Sequence, residues 1–167
     1  MIDEIRKQLP EHEIVTVSEK NFEQVFEVYD TNQDFFLLTQ GKEATIESSI
    51  NDINSVSPNF DISQKTYISL WQDGSVVAVL DLLKGYPAQE DIWIGLLLIH
   101  GDLHGKKIGS RIITAVLNAA KIVGYRAAQL GVIENNVKAL AFWQKQGFEK
   151  IRTKENIVVM KNLLLTE

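Results

Sequence analysis

The sequence predicts an α/β domain in which helices cover both faces of a sheet, and three observations carry that expectation. β-rich runs and helical patterns alternate along the 167 residues. The runs at 75–84 and 92–99 are apolar at successive positions, as strands buried on both faces are. A loop holding glycines and lysines then joins the second of these runs to an amphipathic helix, which a further β-rich run follows.

Taken in order, residues 13–17 read as a short strand. Ser18 can cap a helix whose Phe22, Val25, Phe26 and Tyr29 recur at i, i+3, i+4 and i+7. Residues 31–41 are expected to form a loop with an exposed Phe35-Phe36-Leu37-Leu38 run. A helix is expected over 43–56, with Ile46, Ile50 and Ile53 on one face and Pro58 ending it. Strands over 65–71 and 75–84 make a hairpin about Gln72, Asp73 and Gly74. The next strand, 92–99, follows the Gly85-Tyr86-Pro87 turn. Helix 107–123 presents Ile108, Ile112, Ala115, Ala119 and Ile122 as one stripe and stops at Gly124. A strand over 126–132, a helix over 136–146 and two strands over 148–152 and 156–163 close the chain.

Composition narrows the function. At this length and 45% hydrophobic residues one core can be buried, so a single domain spanning 1–167 is expected. No run approaches the roughly 18 apolar residues of a membrane span. Residues 1–10 lack the apolar stretch of a signal peptide, and a cytoplasmic location is expected. With no cysteine, disulfides, thiolate ligands and a cysteine nucleophile are excluded. His12, His100 and His104 are scattered, and no metal is expected. A formal charge of -5 argues against a nucleic-acid or anionic-membrane partner, each of which requires a basic surface.

The stretch 97–112, LLIHGDLHGKKIGSRI, is the most informative. The first turn of a helix leaves backbone N–H groups without partners and carries partial positive charge, so an anion docks there favourably. Gly105 and Gly109 leave the backbone open, and Lys106 and Lys107 add charge; an ordinary polar loop would look similar. The spacing fits neither G-x-x-x-x-G-K-S/T nor G-x-G-x-x-G, because Gly101, Gly105 and Gly109 recur every four residues.

The run His104, Gly105, Lys106, Lys107, Ile108, Gly109 instead resembles motif A of the GNAT-type N-acetyltransferases, Q/R-x-x-G-x-G/A, with Ile99 as the last aliphatic residue of the preceding strand. His104 stands where Arg or Gln is usual, Lys107 where Gly is usual and Gly101 where Pro is frequent. Downstream, Asn136, Ala139, Trp143, Gly147 and Phe148 keep the spacing of the family's later motif N-x-x-A-x-x-x-Y-x-x-x-G-F. The resemblance covers roughly residues 76–161. It implies a twisted, mixed, mostly antiparallel sheet of six to seven strands with helices on both faces, in which one parallel pair splays apart.

It also implies acetyl-CoA as acetyl donor. The pyrophosphate would lie on the loop from His104 through Ser110, including Gly105, Lys106, Lys107, Ile108 and Gly109. The pantetheine arm would pair along Leu97, Leu98 and Ile99, beside Asn136, Ala139 and Trp143. The implied reaction is direct attack by a primary amine of a small molecule, amino acid or peptide terminus in a ternary complex. The backbone N–H of Ile99 would be the oxyanion donor. Trp143 replaces the family's tyrosine acid, and an indole N–H cannot release a proton at neutral pH, so water protonates the thiolate or it leaves unaided.

For the base, Asp81 is an isolated carboxylate in an apolar strand, where burial is costly unless it is paired or useful. It is expected opposite about Ile94; an ordinary aspartate facing water or a lysine is the alternative. Tyr86, Asp91 and, more weakly, Glu90 are candidates for substrate contact. A homodimer is compatible with the resemblance. A second function class stays open, an acyl-CoA-binding sensor or structural module without turnover, because His104, Lys107 and Trp143 depart from the family pattern.

Overall fold

Seven strands form one sheet: β1 (Glu13–Thr16), β2 (Lys65–Gln72), β3 (Ser75–Lys84), β4 (Asp91–Ile99), β5 (Ala127–Ile133), β6 (Glu149–Lys154) and β7 (Ile157–Leu163). Their spatial order in the computed structural model, which describes residues 1–164, is β1-β2-β3-β4-β5-β7-β6. Every neighbouring pair is antiparallel except β4 and β5, as expected for this mixed sheet.

The apolar character of β3 on both faces is explained by its two coverings. On one side α1 (Ile2–Gln8), α5 (Ile108–Val123) and α6 (Val137–Lys145) pack through Ile5, Ile112, Val116 and Trp143 onto Ile68, Leu80, Leu82 and Leu130. On the other, α2 (Phe22–Asp30) and α3 (Gln33–Gln40) bring Phe22, Val25, Tyr29 and Phe36 onto Tyr67, Val79 and Leu98.

Two features of β4 create the site. Asp81 pairs with Leu96 and Leu82 with Ile94, so Gly95 is an extra residue, a β-bulge. Asp81 therefore lies two positions along from the expected partner Ile94, and the bulge supplies one of the two. On the other edge, parallel pairing with β5 runs from Asp91↔Ala127 to Ile94↔Leu130 and stops. Beyond it the strands part.

Several expectations are corrected. The supposed loop 31–41 holds α3, because Phe36 stacks on Tyr29 at 5.4 Å and Gly41 ends the turn in the left-handed region. The helix expected over 43–56 is a single turn, α4 (Ile46–Ser49), capped by Thr45 and Ser48, followed by a 3₁₀ stretch, Ile50–Asn54. Two hydrogen bonds bind that segment down: Tyr29 Oη to Asp52 Oδ2 at 2.9 Å, and Lys65 Nζ to the Ser55 carbonyl at 2.6 Å. Ile122 is exposed where the last turn of α5 runs past the buried stripe. Lys107 precedes α5 instead of starting it, with φ 63°.

Candidate functional site

Where β4 and β5 part, a cleft of about 1240 Å³ passes between the two layers of helices. Its lining includes Leu97, Leu98, Ile99, His104, Gly105, Lys107, Ile108, Gly109, Ser110, Asn136, Ala139 and Trp143, so nearly all of the sequence-derived cofactor residues meet there. Lys106 is exposed next to this lining in the loop.

The mouth is the loop before α5. Gly105 and Lys107 both adopt positive φ, 76° and 63°, which turns the chain sharply into the helix. No side chain caps α5, and its first intrahelical bond comes from the Arg111 N–H to Lys107. The N–H groups of Ile108, Gly109 and Ser110 therefore face the mouth without intrahelical partners. A Cβ on Gly105 would meet nothing within 4 Å, which leaves room for an anion. Gly109 serves a different purpose: its Cβ would touch the Phe142 ring at 3.4 Å and Ile99 at 3.6 Å, so its smallness lets α5, α6 and β4 meet.

The N–H of His100 donates to the Val77 carbonyl on β3 at 2.8 Å. By strand alternation Leu97 and Ile99 direct their backbone groups to the other edge, into the cleft. The Ile99 carbonyl is engaged twice, by Asn32 Nδ2 at 2.9 Å and by His104 Nε2 at 2.8 Å. His104 thus braces the loop against β4, a role its position in the motif does not reveal. Next to it, Thr31 Oγ1 accepts from the Gly101 N–H at 2.9 Å, and a Cβ on Gly101 would lie 2.8 Å from the Thr31 carbonyl oxygen.

On the α2–α3 side lies Asp81. Its carboxylate is buried and takes a hydrogen bond from Lys65 Nζ at 2.8 Å through Oδ2, while Oδ1 has no partner. Burial pushes its pKa up to about 6 against the opposing pull of Lys65. A Cβ on Gly95 would stand 3.4 Å from Asp81 Oδ2, so the exposed bulge glycine forms a notch between cleft and carboxylate. Beside this pair the phenols of Tyr29 and Tyr67 hydrogen-bond to each other and Tyr29 donates to Asp52, and burial raises both phenols and the Asp52 carboxyl.

Other candidates are placed as follows. Asn136 caps α6, its Oδ1 accepting from the Ala139 N–H at 3.2 Å. Trp143 is buried between Phe142 and Phe148 in edge-on contacts. The Ser110 hydroxyl accepts from Gln146 at 2.9 Å. Asp91 is the buried first residue of β4 and accepts from Gln129 Nε2 at 2.8 Å; Tyr86 is half-buried, and Glu90 is exposed beside Arg126. Among the described residues no group of three or more His, Cys, Asp or Glu could hold a metal ion, and no helix is long and apolar enough to cross a membrane.

Residues 25–148 match the Acetyltransferase (GNAT) family. The chain belongs to the GNAT acetyltransferase family. Among solved structures, this GNAT protein is similar to an acetyltransferase from Thermus thermophilus, at 26% identity and TM-score 0.78, over 91% of this chain and 96% of that one. It shares the fold of the PaiA N-acetyltransferase from Thermoplasma acidophilum, solved in complex with coenzyme A, at 18% identity and TM-score 0.70 over 91% and 98%. It also shares the fold of the ribosomal-protein-S18-alanine N-acetyltransferase from Escherichia coli, at 11% identity and TM-score 0.66 over 93% and 96%. A 59-residue stretch is 34% identical to the uncharacterized protein MJ1062 of Methanocaldococcus jannaschii, spanning 35% of this chain and 12% of that protein.

Four residues that shape this cleft are not singled out by their local sequence. Asn32 and Thr31 lie in the segment read as a loop, and no local pattern distinguishes them. Gly95 is one glycine in an apolar run. Lys65 was recoverable, because the hairpin register sets it opposite Leu83, diagonal to Asp81.

Proposed function

We propose that this protein transfers the acetyl group of acetyl-CoA to a primary amine of a small molecule, amino acid or peptide terminus. The observation that carries this reading is the uncapped N-terminus of α5 opening into a cleft that continues between the parted strands to the notch at Asp81. Acetyl-CoA supplies a thioester, an acyl group already activated toward an amine. Loop residues 104–107 and the N–H groups of Ile108, Gly109 and Ser110 fit a pyrophosphate, with Lys106 and Lys107 adding charge. Leu97 and Ile99 offer strand backbone to the pantetheine amides, and Asn136, Ala139 and Trp143 wall that passage.

The Ile99 N–H is the proposed donor to the charge that develops on the acetyl oxygen. Its carbonyl, held by Asn32 and His104, fixes the orientation of that peptide segment. Asp81 is the proposed base for the incoming ammonium, because a carboxylate with a pKa of about 6 is ionised at neutral pH yet accepts a proton more readily than an exposed one. Attack within a ternary complex needs no enzyme nucleophile, consistent with a chain that has no cysteine. Tyr86 and Asp91 are the proposed acceptor contacts, and the cell compartment expected from the sequence is the cytoplasm.

Trp143 favours a second reading, an acyl-CoA-binding module without turnover, since its indole cannot reprotonate the sulfur. Thiol release from acetyl-CoA over a panel of amines separates the two. Amine-dependent release supports the enzyme; tight CoA binding without release across the panel supports the binding module.

A further inference from the structure

The half-buried rings of Phe60, Tyr86 and Trp93 form a line of edge-to-face contacts, with centroids 5.8 Å and then 5.6 Å apart. The line starts in the loop before β2 and ends on β4. Because Trp93 pairs with Leu83, and Leu83 shares a face with Asp81, the indole stands on the same side of the sheet as that carboxylate. Its far edge lies against a residue of the cleft wall: a Cβ on Gly131 would lie 3.6 Å from Trp93 Cζ2, and Gly131 lines the cavity. Gln129, opposite Trp93 in the parallel register, is buried and held by Asp91, and its Oε1 has no hydrogen-bond donor.

Asp81 and Trp93 are diagonal neighbours across β3 and β4, a separation of about 7–8 Å. We propose that the aromatic line is the acceptor subsite and that it selects primary amines carrying an aromatic ring roughly one to three carbons from the nitrogen. The nitrogen lies at the Gly95 notch beside Asp81, and the ring packs against Trp93 and Tyr86. Edge-on and offset contacts between rings favour such a group over an alkyl chain of equal length. Lys65 pairs with Asp81 through Oδ2 alone, and Oδ1 has no partner, so one carboxylate oxygen is left for the amine of a ligand. This inference rests on the acetyltransferase reading for its biological meaning, but its binding test does not depend on turnover.

The CoA-loaded protein is titrated calorimetrically with phenethylamine, hexylamine and spermidine, and each amine is then assayed for acetyl transfer. Phenethylamine is expected to bind about tenfold more tightly than hexylamine or spermidine. Trp93→Ala should bring the phenethylamine-to-hexylamine ratio to within about twofold of one, whereas Trp93→Phe keeps most of it. Phe60→Ala, at the outer end of the line, should lower the ratio part-way and serves if Trp93→Ala does not fold. Equal binding of ring and chain, tighter spermidine binding, or a proportional loss of both amines in the variants overturns the subsite. Ring-selective binding without acetyl transfer leaves the subsite standing and removes the enzyme reading. Acetyl transfer to hexylamine or spermidine without ring preference does the reverse.

Discussion

Asn32 Nδ2 donates to the Ile99 carbonyl at 2.9 Å, binding the junction of α2 and α3 to the last residue of β4. The same nitrogen donates to the Val28 carbonyl at 2.7 Å, so one buried amide holds a helix end and a strand end together. Asn32→Ala removes both bonds while His104 keeps one on Ile99. The expected loss is about 1–3 kcal/mol of stability in denaturant unfolding, together with a severalfold weaker CoA affinity by calorimetry. An unchanged unfolding midpoint would rule out the brace.

The proposed base Asp81 predicts two pH profiles. As the base it must be ionised, so amine-dependent turnover at saturating acetyl-CoA should fall below pH about 6, and Asp81→Asn should abolish that limb. A limb that survives the substitution removes Asp81 from the chemistry.

Stability should respond to the same group in the opposite direction. The folded pKa is raised above its ordinary carboxylate value, so the native state holds this proton to higher pH than the unfolded chain. Asp81 therefore contributes least stability above pH about 6 and most below about 4, a difference of up to about 3 kcal/mol at about 1.4 kcal/mol per unit. Subtracting the Asp81→Asn stability profile from that of the wild type should give a decline from about pH 4 to about pH 6; a flat difference would contradict the buried state of the carboxyl.

Lys107 occupies the left-handed region at φ 63°, where a Cβ is disfavoured by roughly 1 kcal/mol. Lys107→Gly should raise the unfolding free energy by up to about 1 kcal/mol, since relief of strain competes with the larger entropy of an unfolded glycine. The same variant should weaken CoA binding and reduce the salt dependence of that binding, because one positive charge leaves the mouth. If the salt dependence is unaltered, Lys107 plays no electrostatic part.

Gly101 cannot take a side chain without moving backbone, since its Cβ would sit 2.8 Å from the Thr31 carbonyl oxygen. Gly101→Ala should cost about 1–3 kcal/mol and loosen the loop that leads to His104. Hydrogen exchange at residues 101–105 checks this directly, and wild-type protection there would contradict it.

The parts legible in the sequence were those whose signal is local. The strands of the 65–84 hairpin, the run 92–99 and the loop at 104–109 each carry their pattern within a few residues, and so does the Asn136-to-Phe148 block. What escaped depends on distant partners. α3 forms because Phe36 packs on Tyr29, and its polar entry at Asn32 and Gln33 looks like a loop until Ile99, 67 residues away, is in place. Lys65 and Asp81 lie 16 residues apart and meet only once the hairpin register is set. Asp81 faces Leu96 where about Ile94 was expected; the bulge at Gly95 contributes one of those two positions, a displacement that periodicity cannot detect. His104 departs from the motif, and its contact with the Ile99 carbonyl depends on a loop geometry that the motif does not encode.

The parting of β4 and β5 also bears on how the molecule holds together. Four residue pairs join these strands, and past Ile94 and Leu130 no ladder among the described residues links the half of the sheet that contains β1 to β4 with the half that contains β5 to β7. A ligand lying in the gap and bonding to strand backbone acts as a stitch between the halves. Its binding energy then enters cohesion directly by mass action, about 2.7 kcal/mol at about a hundredfold excess over the dissociation constant. That increment adds to the one core that α5 and α6 pack across both halves.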